Sequence, residues 1–312
     1  GGPLIQDKLF IFLSAEDSSS TRSSPAFGPL GSNLTNVGIT QSAIAGLQNI
    51  ATTKYGFNAG SAEIGAGDSL DVQDCLIKLD WNINDDHRAN LPWSKTSQSE
   101  PIFSGFSATG ISLSSYLYSE VKNNESTVGQ VFSDWTPTFS TEFKLSRRDQ
   151  IKDNANNSFL PSMALSFPGP LPAGTPSTVR TGTRFINFGT ERSRQFNQLD
   201  NTTWDAYGGA TWLKGDHEIK FGVDYTKTDI FNAFLQDVNG NYTFSCINSS
   251  AAVTYSFGAV NCSTSPAALI EQAVLENFSI GRPTQYTAQL PVAGIALRDT
   301  AAIWSLENTG LF

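Results

Sequence analysis

The feature that most constrains the fold of this chain is a strict two-residue alternation of apolar and polar side chains. In HEIKFGVDYTK, residues 217–227, every second side chain from Ile219 to Tyr225 is apolar. Successive side chains of a strand point to opposite faces of its sheet, so this alternation predicts a strand with one apolar face. The same pattern occurs in VQDCLIKLDWNI (72–83), in TTWDAYGGATW (202–212) and, more weakly, in TEFKLSRR (141–148).

The composition agrees with a strand-rich chain. Charged residues make up only 16% and aromatic residues 11% of the 312 residues. The abundance of Asn, Ser, Thr and Gly favours strands and long polar loops over helices. The net charge of −9 and the lack of any Lys/Arg cluster argue against a nucleic-acid partner. No GxSxG, HExxH or Walker pattern occurs, so the chain is predicted not to be an enzyme, and no cofactor is predicted.

The connections between the predicted strands alternate between short and long. The turns NDDH and KGDH and the link TPTFS are short, whereas the other connections are too long for a typical soluble domain. Short periplasmic turns and long extracellular loops are typical of up-and-down barrels of the bacterial outer membrane. The sequence therefore predicts an all-β, antiparallel transmembrane barrel segment. We predict about eight strands, at 8–16, 72–84, 88–98, 125–136, 141–149, 198–213, 217–234 and 300–312. The long connections lie at roughly 18–71, 99–125, 150–197 and 236–299.

The second face of these strands is charged. In a membrane barrel such charges must face the lumen, because Lys or Arg on the lipid face costs about 2–4 kcal/mol at the midplane. A solvated, salt-bridged lumen wall is favoured over direct contacts to a substrate. The candidate lumen-facing residues are Asp74, Lys78, Asp80, Glu142, Lys144, Arg148, Glu218, Lys220 and Asp224.

Aromatic residues lie beside the short turns, where the interfacial girdle of a membrane barrel belongs. The predicted girdle consists of Phe10, Phe12, Trp81 and Trp212. Other aromatic residues lie in the long connections and are candidates for stacking on a sugar or a siderophore, although packing within the loops is favoured. Examples are Tyr116, Tyr118, Tyr242 and Tyr255. The segment 107–126 is predicted to form an extra hairpin in its loop.

Both histidines of the chain, His87 and His217, follow an aspartate in a predicted short turn. A metal site needs at least three convergent donors, and neither turn supplies them. Aspartate side chains favour Asx-type turn hydrogen bonds, and a glycine supplies the positive φ in KGDH. Turn architecture on the periplasmic side is therefore favoured over metal binding or catalysis. The turn residues are Asp85, Asp86, His87, Gly215, Asp216 and His217.

Two of the three cysteines, Cys246 and Cys262, lie in one loop-like segment, whereas Cys75 lies inside a predicted strand. A loop disulfide between Cys246 and Cys262 is plausible in an oxidising compartment, and two unpaired thiols are the alternative. The chain contains no CxxC motif.

The order and spacing of several segments resemble a known family. GGPLIQDKLFIFLSAED resembles the GGP-(I/L)-x-KDKLFFF-x-x-E segment of TonB-dependent outer-membrane receptors, specifically the Oar-like branch. The resemblance continues in KLDWNINDDHR, VFSDWTPTFSTEFKLSRRD, WLKGDHEIKFGVDYTKTDIFNAF and RDTAAIWSLENTGLF. It covers nearly the whole chain, although the loops between these segments match nothing specific.

This resemblance implies a barrel of about 22 strands with a plug in its lumen, in the bacterial outer membrane. Residues 1–312 are then expected to be part of one receptor barrel domain. The plug and TonB box are expected upstream of residue 1, and the end of the barrel beyond residue 312. The lumen face is then also a candidate plug-contact surface.

The resemblance also implies active uptake of a bulky ferric siderophore, oligosaccharide or peptide. The implied partners are the TonB complex, reached through the N-terminal region, and outer-membrane lipid. The alternatives are a passive porin-like barrel and a secreted soluble β-sheet protein that binds glycans.

Overall fold

The computed structural model describes residues 1–63, 68–247 and 251–312. In chain order its strands are β1 (Gly2–Ile5), β2 (Leu9–Thr21), β3 (Phe27–Gly28), β4 (Thr35–Asn36), β5 (Ser69–Asn82), β6 (His87–Ile102), β7 (Gly110–Ser112), β8 (Tyr118–Thr136), β9 (Phe139–Asn156), β10 (Ser162–Phe167), β11 (Arg184–Gly189), β12 (Asn197–Lys214), β13 (His217–Phe234), β14 (Asn241–Ser245), β15 (Val253–Tyr255), β16 (Gly258–Val260), β17 (Gln285–Thr287) and β18 (Ala302–Leu311). Its α-helices are α1 (Gln41–Tyr55) and α2 (Ala267–Ser279), and single 3-10 turns lie at Ser114–Tyr116 and Leu297–Thr300. No helix in the part of the chain that the structure describes has the length and apolar content needed to cross a membrane.

A nine-stranded antiparallel sheet, called the wall sheet here, forms the larger part of the fold. Its strand order is β1-β2-β5-β6-β8-β9-β12-β13-β18, so every strand pairs with its predecessor and successor among the long strands. The short connections β1–β2, β5–β6, β8–β9 and β12–β13 all lie at one end, called the turn rim here. The long connections all leave from the opposite end. This up-and-down order confirms the predicted fold class.

The eight predicted strands are present, and their bounds differ mainly at the end away from the turn rim. The strand β13 has the predicted bounds, whereas β8 begins at Tyr118 instead of 125 and β9 ends at Asn156 instead of 149. The strands therefore continue past the segment in which apolar and polar residues alternate.

The four long connections fold together into a second unit, called the cap here: residues 22–63 with 68, 103–117, 157–196, and 235–247 with 251–301. Its five-stranded sheet has the order β17-β14-β10-β11-β7. The strand β10 pairs in parallel with β14, and β7 pairs in parallel with β11. The cap sheet therefore joins strands from three different connections, and the remaining connection supplies α1.

The helices of the cap have clear local reasons to form. Thr40 caps α1 by accepting a hydrogen bond from the Ala43 N–H (3.0 Å), and Gly56 ends it in the left-handed conformation. Such caps satisfy backbone groups that a helix end leaves unpaired. The apolar stripe of α1 is buried, and so is that of α2, which crosses close to it at Gly46.

The hydrophobic core lies in the cap. Phe278 of α2 contacts Phe188 and Phe244 of the cap sheet, with ring centroids 5.5 and 5.1 Å apart. Among the described residues, every buried apolar side chain except Ala233 belongs to the cap. This core was not predicted, because the sequence was interpreted as carrying loops without a common fold.

The predicted extra hairpin at 107–126 is wrong. Its first part forms β7, which pairs with the distant β11, and its second part belongs to the wall strand β8. The apolar residue Ile111 of this segment enters the core of the cap.

Candidate functional site

Strand register assigns every side chain of the wall sheet to one of two faces. Residues directly opposite each other in antiparallel neighbours project from the same face. One row runs from Asp80 through Asn90, Gln130 and Lys144 to Tyr207 and Asp224. The neighbouring row runs from Trp81 through Ala89, Val131 and Phe143 to Gly208 and Val223. In these rows the first face is polar and charged, and the second is apolar.

The apolar face is exposed although it consists of large side chains. Phe143, Leu145 and Trp135 have 56%, 55% and 57% of their surface accessible. No second sheet covers these residues in the described part of the chain. A contiguous exposed surface of this kind marks contact with a membrane or a partner.

Tryptophans border the apolar face at both ends. Trp81, Trp135 and Trp212 lie near the turn rim, and Trp93 and Trp204 lie toward the cap. Cations accompany them: Lys214 Nζ lies 5.2 Å from the Trp212 ring, and the Arg147 guanidinium lies 5.7 Å from the Trp204 ring. The interval Trp204–Trp212 matches the about 9–11 residues that a tilted strand needs to cross the hydrocarbon layer. Trp81 and Trp212 therefore border the apolar face near the turn rim, and their contact with the membrane interface stays a prediction.

The girdle assignment of Phe10 and Phe12 needs correction. Their direct partners across the β2–β5 pair are Asp80 and Lys78, so both rings project from the charged face. The strand β2 is apolar on both faces at its start. Alternation therefore does not indicate which of its side chains face which side of the sheet.

All nine residues predicted to face the lumen project from the polar face. Several carry short-range partners: Lys78 Nζ lies 2.8 Å from Asp80, and Lys220 Nζ lies 2.9 Å from Glu218. Glu142 accepts a hydrogen bond from the Gln130 amide, and Asp74 accepts one from Thr96. The polar face is therefore a hydrogen-bonded, water-compatible surface, and whether it lines a lumen stays a prediction.

The two histidines occupy the same rim of the wall sheet, where they begin β6 and β13. Neither belongs to a group of three or more potential metal ligands among the residues that the structure describes. The His87 ring instead packs on Trp135, with centroids 4.9 Å apart.

The hydrogen bonds of the first turn differ from the prediction. In the first turn the Asx-type acceptor is Asn84, whose Oδ1 accepts from the N–H groups of Asp86 (3.0 Å) and His87 (2.8 Å). Asp85 and Asp86 therefore do not supply the turn's side-chain acceptor. In the second turn Gly215 has φ +61°, as the sequence predicts. Asp216 completes this two-residue turn between Lys214 and His217.

The cap meets the wall sheet mainly on its polar side. Arg194 of the cap stacks over the Tyr118 ring at 5.5 Å, and its backbone carbonyl accepts from the Asn156 amide at 2.8 Å. Arg22 forms an ion pair with Glu100 at 2.6 Å. Tyr118, Asn156 and Glu100 all project from the polar face. On the apolar face, Arg298 of the cap lies 4.8 Å over the Phe231 ring.

A partly buried ionic cluster lies at the base of the cap. Arg192 binds the fully buried Asp237 through two hydrogen bonds, of 3.2 Å from Nε and 2.7 Å from Nη2. Burial raises the pKa of the neighbouring Glu191 above its usual range, although the Ser193 N–H and Arg194 favour the charged form. Burial also raises the pKa of Tyr116 to about 12, so its phenol stays protonated.

The loop aromatics act mainly in packing. Tyr116 and Tyr255 are buried, and Tyr118 lies under Arg194. Tyr242 packs against the tilted ring of Tyr286 with centroids 4.6 Å apart. A disulfide joins Cys246 to Cys262 in the cap, and Cys75 is a free, exposed thiol.

An exposed apolar band between two rows of tryptophan, with a charged opposite face, defines a strand wall that crosses a membrane. The chain matches the family described as outer membrane beta barrel domain over residues 1–303, and it belongs to that family. The protein is therefore located in the bacterial outer membrane. This location excludes the secreted soluble protein, which required apolar residues buried between two sheets.

Similarity to individual proteins is more distant. No curated protein matches the chain. Among solved structures, the chain is similar to the outer membrane transporter YddB from Escherichia coli. The TM-score is 0.45 and the identity 12%, over 77% of this chain and 26% of that chain. The chain thus spans about a quarter of the length of that transporter.

Proposed function

We propose that this chain is part of a TonB-dependent transporter, of the Oar-like branch, that takes up a bulky ferric siderophore, oligosaccharide or peptide. The observation that carries the proposal is the folded cap on the polar side of the wall sheet. Four connections and a disulfide build it. A passive pore needs no structured domain of this size over its polar face, whereas a receptor needs a large, ordered surface for binding.

The resemblance of the sequence to TonB-dependent receptors supports the same proposal, because the resembling segments lie on the wall strands. They include both ends of the wall, GGPLIQDKLFIF in β1 and β2 and IWSLENTGLF in β18. The proposed partners are the TonB complex, outer-membrane lipid and the transported nutrient.

The experiment is uptake by cells that express the full-length protein, measured with and without a functional TonB complex. We expect accumulation of the nutrient to require TonB and to stop when a protonophore collapses the proton gradient. A passive porin-like barrel would instead keep its uptake in the TonB-deficient strain. The full-length protein would then also conduct ions steadily in planar bilayers, and this result would overturn the proposal.

A further inference from the structure

The polar face of β9 carries an unusual column of cations. A cation stands at every fourth position of the strand: Lys144, Arg148 and Lys152. All three therefore project from the same face. At about 3.3 Å per residue, successive cations are about 13 Å apart along the strand. The column runs from Lys144, nearer the turn rim, to Lys152 at its upper end, next to the cap.

The uppermost cation has a like-charged neighbour. Lys122 of β8 lies directly opposite Lys152, and like charges in this position destabilise a strand pair. A single carboxylate holds both: Glu120 Oε1 lies 2.5 Å from Lys122 Nζ, and Glu120 Oε2 lies 2.5 Å from Lys152 Nζ. Two cations share one anion, so this group retains a net positive charge.

The two cations nearer the turn rim, Lys144 and Arg148, form no ion pair among the described residues. This contrasts with Lys78 and Lys220, which pair with a carboxylate two residues away on their own strands. The acids nearest in the register are engaged elsewhere. Glu142 accepts from Gln130, and Asp205 accepts from Ser146 (2.9 Å) and Thr226 (2.8 Å).

A concavity of about 210 Å³ lies at the upper end of the column. Besides the two lysines, its lining consists of the amide side chains of Asn124, Gln150 and Asn201 and of the apolar residues Ile151 and Leu199. The three amide-bearing residues are direct partners across β8, β9 and β12, so their amides lie in one row. Amide N–H₂ groups beside two ammonium groups supply the donors that carboxylate or phosphate oxygens require.

We infer that β8 and β9 form an anion-binding track on the polar face, with its principal site at Lys122 and Lys152, and that the transported substrate is anionic. This inference rests on the proposed function and narrows its substrate class. The track fits a ligand with several carboxylate, phosphate or catecholate groups. A neutral oligosaccharide or a neutral ferric complex would leave its cations unused.

The test is lysine-reactivity footprinting of the full-length protein in detergent, with inorganic pyrophosphate as the probe. Acylation rates at Lys122 and Lys152 are measured by mass spectrometry against sodium chloride of equal ionic strength. At ten times its Kd the probe leaves about one tenth of the sites free, so acylation of both lysines should slow by about tenfold. Lys54 on the cap helix α1 is the internal control, and its rate should not change.

Matched variants locate the effect. Lys152→Gln should abolish the protection of Lys122, whereas Lys95→Gln should preserve it, because Lys95 projects from the opposite face of the wall sheet. Equal protection of Lys54, or no protection of Lys122 beyond that given by chloride, would overturn the inference. The assay needs neither transport nor TonB. Protection without TonB-dependent uptake would therefore sink the proposed function and leave the anion site standing.

Discussion

The wall sheet and the cap place the same kinds of side chain in opposite environments. The wall sheet exposes Phe143, Leu145 and Trp212, whereas the cap buries Phe188, Phe278 and Leu47 almost completely. In the cap, apolar residues of helices and strands cover one another, as in a water-soluble domain. In the wall sheet no part of the described chain covers them, because lipid takes that place. The contrast shows that one chain can follow two rules of burial when its strands cross from one solvent into another.

The largest expected effect is the destabilisation of the cap, but not of the wall sheet, when a buried ring is removed from the cap. Phe278→Ala deletes a side chain that is 1% exposed, and such a deletion costs about 3–5 kcal/mol. Hydrogen exchange of the full-length protein in detergent should show faster exchange of cap amides, with the wall strands unchanged.

The matched control for this change is Phe221→Ala on the apolar face of the wall sheet, where the ring is 47% exposed. It should leave the exchange of cap amides as it was. If Phe278→Ala also released the amides of β12 and β13, the two regions would form one cooperative unit.

A charge on the apolar face tests the other half of the comparison. Phe143 lies opposite Gly208, midway between Trp204 and Trp212. Phe143→Arg should therefore destabilise the protein in lipid vesicles by about 2–4 kcal/mol, measured by urea titration. The adjacent Lys144→Gln, on the polar face, should change the free energy of unfolding little. Equal effects of the two substitutions would refute the assignment of faces.

The disulfide should matter only to the cap. Cys246 and Cys262 are 16 residues apart, and closing a loop of this length contributes about 3 kcal/mol in the chain-entropy account. Replacing both by serine should sensitise the cap to proteolysis at elevated temperature, as seen by the loss of cap fragments. Cys75→Ser is the control, and a similar loss in that variant would argue against a local role of the disulfide.

The smallest expected effect is a pH dependence of cap stability. The pKa of Glu191 is raised above 4.5 by burial, so the folded cap holds a proton that the unfolded chain releases. Stability should therefore fall as the pH rises from about 4.5 through the folded pKa. Thermal melting of the cap followed from pH 4 to 8 should show this slope, and Glu191→Gln should flatten it. An unchanged slope in that variant would assign the dependence to another group.

Alternation predicted the wall strands best where one face meets lipid. The strands β12 and β13 agree with their predicted bounds to within one residue, because both carry alternation along most of their length. In β8 and β9 the ends near the cap are polar on one face and mixed on the other. Lys122 and Asn123, for example, are neighbours on opposite faces, and no apolar period marks the strand there. Pairing with neighbouring strands, and not the local pattern, extends these ends.

The cap was missed for a different reason. Its sheet pairs short strands that lie far apart in the chain. Strands of three to six residues are too short to show a clear alternation of apolar and polar residues. The helix α1 was detectable from its sequence. Thr40 stands at the N-cap and Gly56 at the left-handed C-cap. Ile44 and Leu47 belong to the apolar stripe between them. The cation column on β9 was also within reach, although only register could show that Lys122 joins it.

The parallel pair of β10 and β14 has a consequence for assembly. Ser162 lies opposite Asn241, and the whole β12–β13 hairpin lies between them in the chain. This contact is favoured once that hairpin has closed, because the closed hairpin brings its two ends to the same edge of the wall sheet. Pairings of such distant segments are slow to form. The cap is therefore expected to appear last during biogenesis, and a correctly folded cap reports that the strands beneath it have found their register.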